Sequence, residues 1–247
     1  MCEVCGCGDP HRVHIDVGAS LLAANDDAAH HLREHFEAAA ITVVNLMGSP
    51  GAGKTALLEA TARHVARRGL RLAALSGDLA TSLDAERLAR AGIPSRAITT
   101  GSACHLDAAM VHDVLHHAPF ASALSSGDVL FIENVGNLVC PAIYDLGQRA
   151  NVVVLSVTEG VDKPLKYPVM FRKADLVVLS KIDLLPYLPD VSTETIRSNL
   201  ARVMPSAQMI EVSAPTGAGI GEFLAWLSRI GPPRLRRSAS EGDVVPT

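Results

Sequence analysis

The stretch ITVVNLMGSPGAGKTALLEATARHVARR, residues 41–68, decides the fold. Its first seven residues are an apolar, β-branched run of the kind that forms a buried strand. Gly48-Ser49-Pro50-Gly51-Ala52-Gly53-Lys54-Thr55 then fits G-x-x-x-x-G-K-[ST]. A helix is expected from about Lys54 to Arg68, stopped by Gly69. Gly48, Gly51 and Gly53 allow backbone N–H groups to close around phosphates, and the helix N-terminus adds partial positive charge. In that frame Lys54 reaches the β- and γ-phosphates, and the Thr55 hydroxyl ligates Mg2+. A chance glycine-rich turn is the plain alternative; the strand before it and the helix after it argue against that.

Outward from this stretch the pattern repeats. Apolar runs at 70–78, 96–99, 128–135, 151–158, 175–183 and 207–214 are expected strands. Helical patterns occupy about 20–38, 83–92, 104–117, 164–173, 192–203 and 220–230. Strands that are apolar on successive residues and alternate with helices imply an α/β P-loop NTPase, its mostly parallel central sheet covered on both faces. Residues 1–18 are rich in Gly, Cys and charge and are expected to form a flexible arm. The domain proper is expected over 19–231, and the Pro-, Arg- and Ser-rich residues 232–247 as a disordered tail.

The 247 residues carry 22 basic and 26 acidic side chains, a formal charge of −4, so no global positive field recruits nucleic acid. No apolar run reaches the roughly 18 residues of a membrane span. The N-terminus has no basic-then-apolar secretory pattern, so a cytoplasmic location is expected. In that reducing compartment the five cysteines point to metal and away from disulfides.

Ser180-Lys181-Ile182-Asp183 ends an apolar run and resembles the N-K-x-D guanine motif. A carboxylate at Asp183 accepts from guanine N1–H and N2–H₂, donors that adenine lacks, and the Lys181 stem covers one face of the base. Ser213-Ala214 follows the next run, where a second base contact is expected. Two acids end strands: Asp78, a candidate for Mg2+ coordination or for orienting the attacking water, and Glu133, expected to hold Mg2+ through water. Gly136 follows Glu133 where a γ-phosphate sensor is expected. Lys54, Asp78 and Glu133 are thus the candidate catalytic set. Asp84 is better explained by the start of its helix.

Cys2, Cys5 and Cys7 sit on a glycine-containing loop; with the α-amine they make a compact four-donor set, square-planar for Ni(II) or tetrahedral for zinc. Cys104-His105 is placed at a helix start, and Cys140 just beyond Gly136, which puts three soft or borderline donors near a nucleotide switch. Each of those cysteines alone is more often a small buried apolar residue. His31 and His35, at i and i+4, more often form a solvated face than a metal pair.

MCEVCGCG, VNLMGSPGAGKT, GSACHLDA, FIENVGNLVCPA, TEGVDKPLKYPVMFRKADLVVLSKIDLLPY and VSAPTG together resemble the hydrogenase nickel-incorporation GTPases, the HypB family, over nearly the whole chain except the tail. The resemblance implies a SIMIBI-type GTPase acting as a nucleotide-bridged homodimer. It implies nickel at Cys2, Cys5 and Cys7, and a second site of Cys104, His105 and Cys140 near the dimer contact that takes Ni2+ or Zn2+. A HypA-type accessory protein and the hydrogenase large subunit are the implied partners, and GTP, GDP and Mg2+ the implied nucleotide and cofactor. Departures are Ser180 for Asn, Ala109 where some relatives carry histidine, Pro215 where lysine is frequent, and no His-rich storage run. With no glutamine beside the switch and no assignable arginine finger, slow hydrolysis is expected. A urease-type nickel-insertion GTPase, a small-molecule P-loop kinase and a metal-storage protein are the rival functions.

Overall fold

Six consecutive buried residues, Thr42–Met47, form β1, and burial on both faces is what an all-parallel sheet demands of its central strand. The computed structural model describes residues 10–65, 70–101, 103–116, 120–206 and 208–231. Cys2, Cys5 and Cys7, and the tail from Pro232, lie outside the described residues. The other strands are β2 (Leu72–Asp78), β3 (Ser95–Thr99), β4 (Val129–Glu133), β5 (Ala150–Ser156), β6 (Leu176–Ser180) and β7 (Met209–Val212). They form one seven-stranded sheet in the order β3-β2-β4-β1-β5-β6-β7, with every pairing parallel. This is the expected α/β P-loop architecture.

The helices are α1 (Pro10–Ala38), α2 (Lys54–Val65), α3 (Leu83–Arg90), α4 (Ala108–His116), α5 (Phe120–Ala123), α6 (Lys163–Lys166), α7 (Pro168–Arg172), α8 (Thr193–Val203) and α9 (Ile220–Ile230). Strand side chains alternate between the faces. Val44, Leu46 and Phe131 pack under Leu57 and Leu58 of α2 and Phe223 and Trp226 of α9. Val43, Leu130 and Ile132 pack under Leu32 and Phe36 of α1 and Val111 and Leu115 of α4. A third apolar layer sets Val153, Leu155, Val177 and Leu179 against Phe171, Ile196 and Leu200.

Three expected elements differ. The helix expected at 104–117 begins only at Ala108, because Asp107 caps it by accepting from Met110 N–H at 2.8 Å, which leaves Cys104 and His105 in the preceding turn. Cys104 therefore does not stand at a helix N-terminus. The helix expected at 164–173 is split into α6 and α7 at Pro168, which has no N–H to donate. The first helix begins at Pro10 instead of about residue 20: each added residue gains a backbone hydrogen bond, and Gly18 alone does not stop it.

Gly147 determines how α1 lies on the sheet. Its φ is +73°, and a Cβ there would lie 2.8 Å from Leu32 Cβ and 2.9 Å from Ala29 O and Arg33 N. Gly147→Ala is expected to lower stability by about 1–3 kcal/mol, combining left-handed strain with displacement of α1. A urea melt should show a lower midpoint at unchanged slope; an unchanged midpoint contradicts this packing.

Candidate nucleotide and metal site

β1 and β4 are neighbours, with Leu46 paired to Glu133, so the loops after both strands leave the sheet side by side. The glycine turn after β1 needs its glycines: Gly48, Gly51 and Gly53 have φ of +149°, +72° and +97°. Lys54 is buried, with Nζ donating to Gly48 O and Ser49 O, each at 3.3 Å. Burial pulls its pKa down, opposed by Glu133, Asp84 and Glu159. Thr55 Oγ1 donates to Glu133 Oε1 at 2.8 Å. Glu133 is only 3% exposed, its Oε2 has no hydrogen-bond partner, and burial pushes its pKa to about 7 against the pull of Lys54. A buried carboxylate oxygen left without a donor, beside a threonine hydroxyl, fits a Mg2+ ion held by Thr55 and Glu133.

Lys54, Thr55, Asp78, Arg87, Glu133 and Gly136 all face one cavity of about 450 Å³. Asp78 Oδ1 also accepts from Ala80 N–H at 2.9 Å and Thr81 N–H at 3.0 Å, which draws its pKa down and makes it the organiser of the turn into α3. Asp84 is ion-paired with Arg87 at 3.2 Å, and Arg87 is further held by Glu59 at 3.0 Å. Sequence reasoning missed Arg87 as a cation on this cavity. Its only local signal was the i,i+3 spacing from Asp84.

Next to the phosphate cavity is a smaller one of about 280 Å³, lined by Leu57, Lys181, Asp183, Leu184, Ala214 and Pro215. Asp183 Oδ1 is buried without a partner, as a guanine acceptor requires. Ser180 Oγ donates to Ala52 O at 2.5 Å and so ties this loop to the phosphate loop despite replacing asparagine. Lys181 is left-handed (φ 61°) and its Nζ donates to Gly51 O at 2.7 Å. Ser213 is buried and not among the residues lining the cavity, unlike its neighbours Val212 and Ala214, and its Oγ accepts from Thr216 N–H at 3.3 Å.

The ligating atoms of Cys104, His105 and Cys140 all lie within 4.8 Å of one another, and all three side chains are partly buried. The two sulfurs are 2.9 Å apart, and Cys104 Sγ lies 3.9 Å from His105 Nδ1. Both thiols are free. The Cys104 sulfur, with burial, pushes the Cys140 thiol up. Burial draws the His105 pKa down, favouring the neutral imidazole that binds metal, and its ring is stacked on Tyr144 at 3.8 Å. Of the histidine pair at 31 and 35, His31 is exposed and faces Glu34 at 3.9 Å.

The family model for the CobW/HypB/UreG nucleotide-binding domain matches residues 42–211. The hydrogenase maturation factor HypB of Azotobacter vinelandii is 50% identical over 216 residues, which are 87% of this chain and 69% of that one. Its counterpart from Escherichia coli strain K12 is 43% identical over 220 residues, 89% of this chain and 74% of the other. Among solved structures, HypB from Helicobacter pylori in complex with nickel matches with a TM-score of 0.77 at 36% identity, covering 91% of this chain and 99% of that chain. HypB from Archaeoglobus fulgidus matches with a TM-score of 0.76 at 39% identity, covering 85% and 99%. The chain belongs to the HypB family.

In this HypB-family chain the Cys–His cluster and the glycine turn after β1 share their supports. A Cβ on Gly136 would lie 2.9 Å from Pro50, and Asn137 forms an antiparallel bridge with Gly48. The Asn137 amide donates to Cys104 O at 3.4 Å. Asn134 Oδ1 accepts from Leu106 N–H at 3.1 Å, while its amide donates to Asn45 Oδ1 at 3.2 Å. From the other side, Asn25 of α1 accepts from Ala108 N–H at 2.9 Å and donates to Asp145 O at 3.0 Å, so one buried amide spans the loops that carry Cys104–His105 and Cys140. Asn25, Asn134, Asn137 and Tyr144 were not foreseen from the sequence.

Two outcomes follow from this geometry. Asn25→Ala is expected to weaken Ni(II) binding at the Cys104 cluster by about tenfold, as loss of an orienting group typically does, while nucleotide affinity changes less than about twofold. Calorimetric titration of both ligands checks it, and equal losses in both would contradict it. Glu133 supplies a pH signature. Between pH 4.5 and about 7 the folded chain keeps a proton that the unfolded chain has released, so stability falls as pH rises through that window. Glu133→Gln without nucleotide should therefore be more stable than wild type at about pH 8, on the order of 2–3 kcal/mol, with the gap closing near pH 4. A pH-independent gap in the denaturation midpoints would contradict the burial account.

Proposed function

We propose that the chain is a GTP-hydrolysing nickel metallochaperone that serves maturation of a [NiFe] hydrogenase in the cytoplasm. One observation carries this: Glu133, Gly136, Asn137 and Cys140 lie on a single segment that touches the phosphate loop at its start and the Cys–His cluster at its end. A γ-phosphate in the 450 Å³ cavity presses on Gly136, and any shift there moves Cys140 against Cys104 and His105. Nickel is the cargo, with zinc as an alternative occupant of the inner cluster, and its affinity differs between nucleotide states by linkage.

Lys54 neutralises charge on the β- and γ-phosphates, and Asp78 orients the attacking water. Thr55 and Glu133 would hold Mg2+, which would supply further neutralisation of phosphate charge. Turnover is slow, because Arg87 is already engaged by Glu59 and Asp84 and no glutamine flanks the switch. In this account Cys2, Cys5 and Cys7 form a tighter nickel site on an N-terminal arm ahead of a GTPase domain over 19–231. The active form is a homodimer, and a HypA-type accessory protein and the hydrogenase large subunit are its partners.

Base selectivity tests the GTPase assignment. Xanthine carries a carbonyl where guanine carries the 2-amino group, so Asp183→Asn should lose GTP affinity by at least about a hundredfold and gain affinity for xanthosine triphosphate. Competition binding with a fluorescent nucleotide reads both. A wild-type preference for ATP over GTP would instead favour a small-molecule kinase.

A further inference from the structure

Away from the Cys104 cluster, α1 and α4 bring together imidazoles that the proposed function does not use. The two helices are locked side by side through Leu32, Phe36, Val111 and Leu115, all buried in one apolar cluster, so the spacing of their outer edges is fixed. On that outer edge His112 and His116 stand at i and i+4 with rings stacked at 4.0 Å. His35, in the last turn of α1, places its ring 6.0 Å from that of His116. All three are exposed, so their rings swing at little energetic cost.

A tautomer is already selected. His116 Nδ1 lies 3.0 Å from His112 O. A carbonyl only accepts, so Nδ1 carries the hydrogen and Nε2 keeps the lone pair. Metal-bound imidazoles commonly have this arrangement, with the second ring nitrogen donating to a backbone carbonyl. Histidines at i and i+4 on one helical face are a known chelating pair. A third imidazole from another helix makes the set specific to this fold.

We infer that His35, His112 and His116 form a separate, exchangeable site for a divalent cation that takes imidazole ligands, Ni(II) among them, on the outer face of the α1–α4 pair. Its donor set has no thiolate, so it binds more weakly and exchanges faster than a cysteine site. At 1.5 Å per helical residue His112 and His116 stand roughly 6 and 12 Å along α4 from Ala108, and neither belongs to the group of donors that lie within 4.8 Å of one another at the inner cluster. A cation held there clamps the helix that follows Cys2, Cys5 and Cys7 to the helix that follows Cys104 and His105. The inference stands on these three side chains alone and does not rest on the nucleotide-linked function.

Histidine side-chain NMR on the full chain tests it, with Ni(II) as the probe, in wild type and in Cys104→Ser/Cys140→Ser. His64, which makes the same kind of ring bond to Ala60 O on α2, is the internal control. Resonances of His35, His112 and His116 should broaden together, at Ni(II) concentrations at least about tenfold below those that affect His64, and equally in both chains. In His112→Gln/His116→Gln the early broadening of His35 should vanish. The inference is overturned if His35 responds only with His64. It is also overturned if the early response is lost with Cys104 and Cys140, which would place the cation at the inner cluster.

Discussion

A buried hydrogen bond, Thr55 Oγ1 to Glu133 Oε1 at 2.8 Å, closes the end of β4 onto the start of α2, and the site is arranged around it. It exists because β1 and β4 are parallel neighbours in register, so that the phosphate loop and the segment after Glu133 emerge together. The bond satisfies one carboxylate oxygen and leaves the other, Oε2, buried without a donor. Such a group is costly unless protonated or met by a cation. The same side chain is therefore a stability liability in the free chain, which on the proposed function a divalent ion would relieve.

From Glu133 the chain runs through a series of amides. Asn134 is bonded to Asn45, Asn45 to Asn151, and Gln148 to Asn151. Buried networks of this kind hold one arrangement while fully bonded and resist partial adjustment. A push at Gly136 is therefore expected to shift the segment as a unit and not to be absorbed by slack. Asn25 and the Arg33–Asp145 ion pair, at 2.6 Å, anchor the loop after Cys140 to α1.

Much of this was legible in the sequence, for physical reasons. The apolar runs marked the strands because a parallel sheet buries both faces, and the glycine pattern marked the phosphate loop because only glycine takes those φ values cheaply. Cys104, His105 and Cys140 could be grouped because the only other cysteines of the sequence are Cys2, Cys5 and Cys7, and His105 adjoins Cys104. What could not be read was long-range. Asn25 lies 83 and 120 residues from its two partners, and nothing local marks it. Asn45 did leave a signal, as the one amide in a strand that is otherwise apolar but for Thr42, and a buried amide has to find partners. Asp107, acting as a cap, displaced the expected helix start, and Pro168 split a helix that its own lack of an N–H should have divided in advance.

The central claim is that the Cys–His cluster and the γ-phosphate are read by one moving segment. Its most direct test is the Ni(II) dissociation constant of the chain carrying Cys2→Ala, Cys5→Ala and Cys7→Ala, measured with GDP and with a non-hydrolysable GTP analogue, both with Mg2+. A ratio of about fivefold or more between the two states, with a matching change in nucleotide affinity when nickel is added, is the predicted result. Equal constants and identical thiolate-to-nickel absorption in both states would contradict it.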